Sequence, residues 1–242
     1  MSARRFFVEG AHADGDQVVV SDADAHKIVH VLRLRSGDGV EVVDSAATVF
    51  DGELSVSGGT VRAKLSAARR PQIETFACVD VAQGMPKGQK MDFVVEKLTE
   101  LGVSAILPFE SERSVARNMG VAKLERWRRL AKSAAQQSGR ATIPAVSDPE
   151  AFERIVSRFP DYDVVLFPWE VLHPHPLRAT LPQLVAGAKR ILVVIGPEGG
   201  FSHAEADLAA DAGAHLVSLG GRILRTETAA LALLAVLGYL LF

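Results

Sequence analysis

Ile191-Leu-Val-Val-Ile195 runs directly into Gly196-Pro-Glu-Gly-Gly200, and Phe201-Ser-His-Ala-Glu205 follows. This short apolar run reads as a strand. Ser202 with Glu205 makes a capping box, so a helix begins there and the glycines form the strand-to-helix turn. In parallel α/β sheets, turns at the carboxyl ends of strands are where ligands bind, and glycines let a ligand approach the backbone. The loop has no lysine and matches neither the Walker spacing nor the G-x-G-x-x-G pattern, so a phosphate cradle is disfavoured. Its one charge is Glu198, which suits a cationic or neutral ligand. Taken alone, the loop is also compatible with a purely structural turn.

A second loop follows the next strand candidate, His215 to Leu219: Leu219-Gly-Gly-Arg-Ile-Leu-Arg-Thr-Glu-Thr-Ala-Ala230. Thr226 is placed to cap a final apolar helix. Two backbone-rich loops at one sheet edge, with Arg225, Thr226 and Glu227 between them, predict a pocket. Further strand candidates are Thr75 to Val81, Ala105 to Pro108 and Asp163 to Phe167. Met91, Val94, Val95, Leu98 and Leu101 recur at helical spacing before Gly102. A second helix is expected over Val121 to Ser138, burying Val121, Leu124, Trp127, Ala131 and Ala134. Strands alternating with helices imply an α/β fold with a mostly parallel sheet and helices on both faces.

Upstream the pattern differs. Short β-like pieces at Gln17 to Ser21, Val40 to Asp44, Ala47 to Phe50 and Val61 to Leu65 are punctuated by Gly37-Asp-Gly39 and Ser57-Gly-Gly59. One helix-like stretch, Asp22 to Leu34, interrupts them. Ala67 to Pro71 reads as a linker, giving a small β-rich domain over 1–70 and an α/β domain over 71–242.

The chain has 242 residues, 48% hydrophobic and 23% charged, with a net charge of -2, which excludes disorder, collagen and coiled coil. The average hides a gradient. Residues 84–140 carry 11 Lys+Arg against 6 Asp+Glu, while 1–72 carry 9 against 10 and 141–242 carry 7 against 11. A local basic block can hold a polyanion because phosphate contacts act at short range. A single cysteine, Cys78, precludes an internal disulfide and a Cys-rich zinc site; it is expected in a buried strand and inert. With no apolar leader after Met1, a cytoplasmic location is expected. The apolar run Ala229 to Phe242 is 14 residues long, short of the ~20 that a spanning helix needs. It is read as a core or subunit-interface helix. His26 and His30, at i and i+4, and His173-Pro-His175 are read as ordinary surface and loop residues, and no metal is expected.

Gly196-Pro-Glu-Gly-Gly-Phe-Ser202 together with Leu219-Gly-Gly-Arg-Ile-Leu-Arg-Thr-Glu-Thr-Ala229 resembles the RsmE family, the ribosomal RNA uracil-N3 methyltransferases of the SPOUT class. The likeness extends to His26 to Arg33, Lys90 to Val103, Ser111 to Val115 and Gln137 to Arg140 with Ile143-Pro144, and so covers nearly the whole chain. Gly221 stands where proline is common in the family. The resemblance implies a PUA-like β-barrel that helps hold RNA, followed by a trefoil-knotted SPOUT domain that binds S-adenosyl-L-methionine, in a homodimer.

Mapped onto this chain, the cofactor pocket is walled by Leu166 and Phe167, by Gly196, Pro197, Glu198, Gly199 and Gly200, and by Leu219 and Gly220. Ile223, Leu224, Arg225, Thr226 and Ala229 complete it. The reaction implied is methylation of N3 of a uridine in 16S rRNA, within the small ribosomal subunit. Arg225 is the catalytic candidate, stabilising the deprotonated uracil, with Glu227 or solvent receiving the proton; a structural pairing of Arg225 with Glu198 or Glu227 is the other reading. RNA contacts are assigned to Arg4, Arg5, Arg33 and Arg35 and to Lys87, Lys90, Arg113, Arg117 and Arg140. The alternatives are an inactive RNA-binding module of the same fold, a nucleotide- or phosphosugar-binding enzyme, and a SPOUT enzyme for another RNA site. Leu234 and Leu237 are the expected dimer contacts.

Overall fold

The computed structural model describes residues 4–70, 77–114, 120–170 and 177–241. The chain divides into two compact units, the first formed by 1–73 with 135–142 and the second by 74–134 with 143–242. A single cut near residue 70 therefore misses the segment 135–142, which belongs to the first unit.

The first unit holds β1 (Arg5–Phe7), β2 (Gln17–Val19), α1 (Asp22–His26), a π-helical turn (Lys27–Val31), β3 (Gly39–Val43), β4 (Val49–Ser57) and β5 (Thr60–Arg69). Its sheet has the order β1-β3-β4-β5-β2, with β1 parallel to β3 and the other pairs antiparallel. Phe6 and Val18, from the two edge strands, share one core with Ile28, Val42, Phe50 and Leu65, so the sheet curls around a single interior. Leu54 is buried while Asp51, Glu53 and Ser55 are exposed, the period-two pattern of a strand with one wet face. The residues 67–69, expected as a linker, instead extend β5, and Arg69 pairs with Glu41 and Asp51. The helix expected over 22–34 ends early because Arg33 takes a left-handed backbone, φ 55°.

Asp44 closes the β3–β4 turn. Its carboxylate accepts the backbone N–H groups of His12 at 3.0 Å and of Ala46 and Thr48 at 2.9 Å each. Burial pushes this carboxyl up, but those donors outweigh it and hold it below its ordinary 3.8. A lowered carboxyl stabilises the fold above its unfolded-state pKa, and that stability is lost as pH falls through the folded-state value. Asp44→Ala should therefore cost about 1–3 kcal/mol at neutral pH, leaving three part-buried backbone donors without their acceptor. In denaturant titrations the gap between variant and parent should close below pH 3.8; a gap independent of pH would contradict the assignment.

The second unit runs β6 (Cys78–Gly84), α2 (Lys90–Glu100), β7 (Ala105–Glu110), α3 (Val121–Ser138, of which 135–138 belong to the first unit), β8 (Ala145–Val146), β9 (Glu150–Ala151), α4 (Phe152–Val156) and β10 (Val164–Pro168). It continues with α5 (Leu177–Leu184), β11 (Arg190–Ile195), α6 (His203–Asp211), β12 (His215–Val217) and α7 (Thr226–Leu241). All recorded pairings are parallel, in the order β12-β10-β11-β6-β7-β8, with β9 also pairing β7.

β11 lies in the middle, buried on both sides. Ile191, Val193 and Ile195 join the core made with α2, α3 and α7, whereas Leu192 and Val194 join the one made with α4 and α6. Its unbroken apolar sequence follows from that double burial.

α7 does not stay beside β12. It packs against α2, β6 and β11, so the chain passes β10 to reach the sheet centre. Leu234 and Leu237, expected at a subunit interface, are 2% and 0% exposed in that core. Cys78, expected buried, is exposed at the first position of β6.

Candidate functional site

The carboxyl ends of β10, β11 and β12 meet around a cleft of about 500 Å³ within the second unit. One wall is the turn after β11. Gly200 N–H donates to Pro197 O at 3.0 Å, with Gly200 at φ +65°. Immediately afterwards Ser202 and Glu205 form the capping box, Ser202 N–H donating to Glu205 Oε2 at 2.8 Å. Glu205 Oε1 also accepts Glu112 N–H at 2.9 Å, tying this turn to the end of β7. Phe201 sits between them in an aromatic cluster, 4.2 Å between ring centres from Phe167 and 6.2 Å from Phe109. These ties fix the turn from below and leave its backbone facing the cleft.

The opposite wall is the segment 218–226. Thr226 begins α7, but its hydroxyl does not cap the helix. It donates to Gly196 O at 2.6 Å and accepts from Gln83 Nε2 at 2.8 Å, joining the ends of β6, β11 and α7 in one chain of bonds. Gln83 is fully buried. A hydroxyl that must donate to a carbonyl can only accept from the amide, so both side-chain orientations are determined.

Glu198 is not the free charge that the sequence suggests. It accepts Lys90 Nζ at 2.8 Å and the Lys87 backbone N–H at 3.1 Å. Burial alone raises its carboxyl; Lys90 and Lys87 more than offset this and hold it below the ordinary glutamate value. The same bond raises Lys90, while nearby Arg225 works against it. Glu227 Oε2 lies 3.7 Å from Lys90 Nζ, and Glu227 is absent from the cleft lining. The charge of the glycine turn is thus already balanced, and the Glu227 carboxylate faces Lys90.

Gly196, Pro197, Glu198 and Gly200 line the cleft, as do Leu219, Gly220, Ile223, Leu224, Arg225, Thr226 and Ala229. Leu166 and Phe167 do not; both are fully buried, in opposite cores. The strand runs further than its apolar run suggests, and Pro168, Trp169 and Glu170 supply that wall. Gly199 also turns away, its carbonyl accepting Arg113 Nη1 at 3.0 Å. Ser218, Gly221 and Arg222 complete the second loop's contribution, and nothing in the residue types distinguished them from ordinary turn residues.

The basic residues separate into distinct groups. Arg4, Arg33 and Arg35 are exposed in the first unit. Arg5 is 9% exposed, bonded to Glu41 at 2.8 and 3.0 Å and to the Gly139 carbonyl, and holds that unit together. Arg140 is 6% exposed and donates to Thr142 at 3.1 Å. Arg5 and Arg140 are thus both buried. Lys87 and Arg113 are exposed beside the glycine turn, and Lys90 lines the cleft. Arg117, His173 and His175 lie outside the described residues.

A parallel sheet with ligand-ready loops at its strand ends, and with α7 returning from edge strand β12 to the sheet centre, fits the SPOUT class of methyltransferases. The family model for the RNA methyltransferase domain matches residues 74–238. The Bacillus subtilis (strain 168) protein named ribosomal RNA small subunit methyltransferase E is 31% identical over 98% of this chain and 96% of that protein. Its namesake from Synechocystis is 35% identical over 93% of this chain and 73% of that protein. The crystal structure of the Neisseria gonorrhoeae protein of that name, bound to S-adenosylmethionine, aligns with TM-score 0.88 and 29% identity over 98% of both chains. The chain belongs to the RNA methyltransferase family, in the group of ribosomal RNA small subunit methyltransferases E.

Proposed function

We propose that this chain binds S-adenosylmethionine in the cleft between Gly196–Gly200 and 218–226 and methylates N3 of a uridine in 16S rRNA. The observation that carries the reading is the cleft itself: backbone-rich walls, an acid-base pair that cancels within the glycine turn, and Arg225 on its lining. Its volume of about 500 Å³ falls in the range of small-molecule sites. The walls at Gly220 and Gly221 are open, since a Cβ on either would meet nothing within 4 Å. The cofactor supplies an activated methyl group on a sulfonium. The protein's part is to align the uracil with that methyl and to favour the imide anion, for which the Arg225 guanidinium is suited.

RNA is held, in this reading, by Arg4, Arg33 and Arg35 of the first unit and by Lys87 and Arg113 near the cleft. The trefoil knot belongs to the same proposal and is supported by the return of α7 from edge strand β12 to the sheet centre. The test is incubation with methyl-labelled S-adenosylmethionine and either small ribosomal subunits or naked 16S rRNA, followed by digestion to nucleosides. Label in 3-methyluridine is expected. Label in another nucleoside would reassign the target, and RNA binding without label would favour an inactive binding module.

A homodimer is proposed as well, through a surface other than the buried leucines. α2 and α7 pack together and leave Phe93, Val236, Tyr239 and Leu240 exposed at 46%, 47%, 87% and 37%. A second copy would cover them. Phe93→Asp with Tyr239→Asp should give a folded monomer in sedimentation, whereas Leu234→Glu should compromise folding. A folded dimer carrying both aspartates would refute this surface.

A further inference from the structure

The charges lining the cleft do not all cancel locally. Lys90 and Glu198 pair at 2.8 Å. Glu170, just past β10, has no such partner: among the described residues it accepts no hydrogen bond and enters no ion pair. Its carboxylate lies against the glycine turn. A Cβ placed on Gly200 would stand 2.3 Å from Glu170 Oε1 and 3.4 Å from Oε2. Gly200 thus serves twice, supplying a left-handed backbone and leaving room for that carboxylate. The cleft wall, which also carries Arg222 and Arg225, therefore holds one acid with no hydrogen-bond or ion-pair partner among the described residues, in contact with the glycine turn.

We propose that Glu170 is a specificity residue that makes the cleft prefer the cationic sulfonium cofactor to its neutral thioether product. The inference rests on the cofactor reading above. Methyl transfer removes one positive charge from the bound molecule at sulfur, while its adenosine and amino-acid parts are unchanged. A carboxylate on the wall of a partly enclosed cleft senses that difference, since the Coulomb attraction is lost with the charge. Hydrogen bonds from the glycine backbones cannot discriminate in this way, because both forms offer the same adenosine and carboxylate groups. Glu170 would thereby favour product release without weakening cofactor capture.

The test compares three ligands by calorimetry and by the fluorescence of Trp169, which lines the cleft: S-adenosylmethionine, S-adenosylhomocysteine, and sinefungin, whose ammonium replaces the sulfonium. The parent chain should bind both cationic ligands more tightly than the thioether, and rising ionic strength should narrow the difference. Glu170→Gln should weaken both cationic ligands about tenfold and leave the thioether within about twofold. Glu170→Asp, which keeps the charge, should restore part of the preference. An equal loss for all three ligands, or no loss for any, would overturn the proposal. If the parent binds none of the three, the cofactor reading falls and takes this inference with it, a result distinct from a defect confined to the variant.

Discussion

Gly84→Ala is expected to lower affinity for S-adenosylmethionine by at least about 100-fold, although Gly84 lies outside both loops that line the cleft. The residue ends β6, directly beneath the glycine turn. A Cβ there would stand 2.6 Å from Pro197 N, 2.7 Å from Pro197 Cδ and 2.9 Å from Gly196 C. These are backbone and ring atoms that no side-chain rotation can move aside, so the turn itself must shift. Displacing Gly196 breaks the 2.6 Å bond from Thr226 and drags Glu198 from Lys90, unseating both walls together. Gly120→Ala provides the control, since its Cβ meets nothing within 4 Å. Calorimetry with the cofactor and thermal unfolding of the same samples separate a lost site from a lost fold. Parent-like affinity in a folded Gly84→Ala protein would show that the turn is more pliant than its ties imply.

Arg225→Ala is expected to reduce turnover by about 10²- to 10³-fold, the range seen when a donor to a developing anion is removed. Cofactor affinity should stay within about threefold, because among the described residues the Arg225 guanidinium makes no hydrogen bond or ion pair with the glycine turn; its charge is felt at Lys90. Arg225→Lys should recover part of the rate, as charge without the planar fork. Single-turnover methylation of rRNA, read beside cofactor binding, decides the matter. Full turnover in Arg225→Ala would remove the residue from the reaction, and a parallel collapse of cofactor binding would make it structural.

The local signals in the sequence were strong where structure is decided locally. The apolar run 191–195, the glycines and the Ser202–Glu205 box predict a strand, turn and helix, and β11 and α6 follow that order. Signals failed where a distant segment decides. Arg5 reads as a free cation until Glu41 and Gly139 are brought to it. The apolar sequence of α7 indicates burial on most sides, but not whether α2 and the sheet or another subunit provides the cover. Leu166 and Phe167 are apolar strand residues whose depth depends on where β10 ends, which alternation cannot mark when both faces are buried. Thr226 reads as a cap by type and position. That its hydroxyl serves Gly196 and Gln83 instead depends on a contact across 143 residues to Gln83.

The late position of α7 also bears on how the protein is made. Leu233, Leu234 and Leu237 complete the central core, and Thr226 fastens the glycine turn, yet these residues are synthesised only after every strand they cover. The first unit waits as well, since Gly139 and Gln136 must arrive to engage Arg5, Asp24 and Lys27. Neither unit can finish during synthesis in simple N-to-C order, and such long sequence separations slow folding. A nascent chain arrested before α7 should therefore expose its sheet to chaperones and proteases, while emergence of α7 should confer resistance and ligand binding in one step.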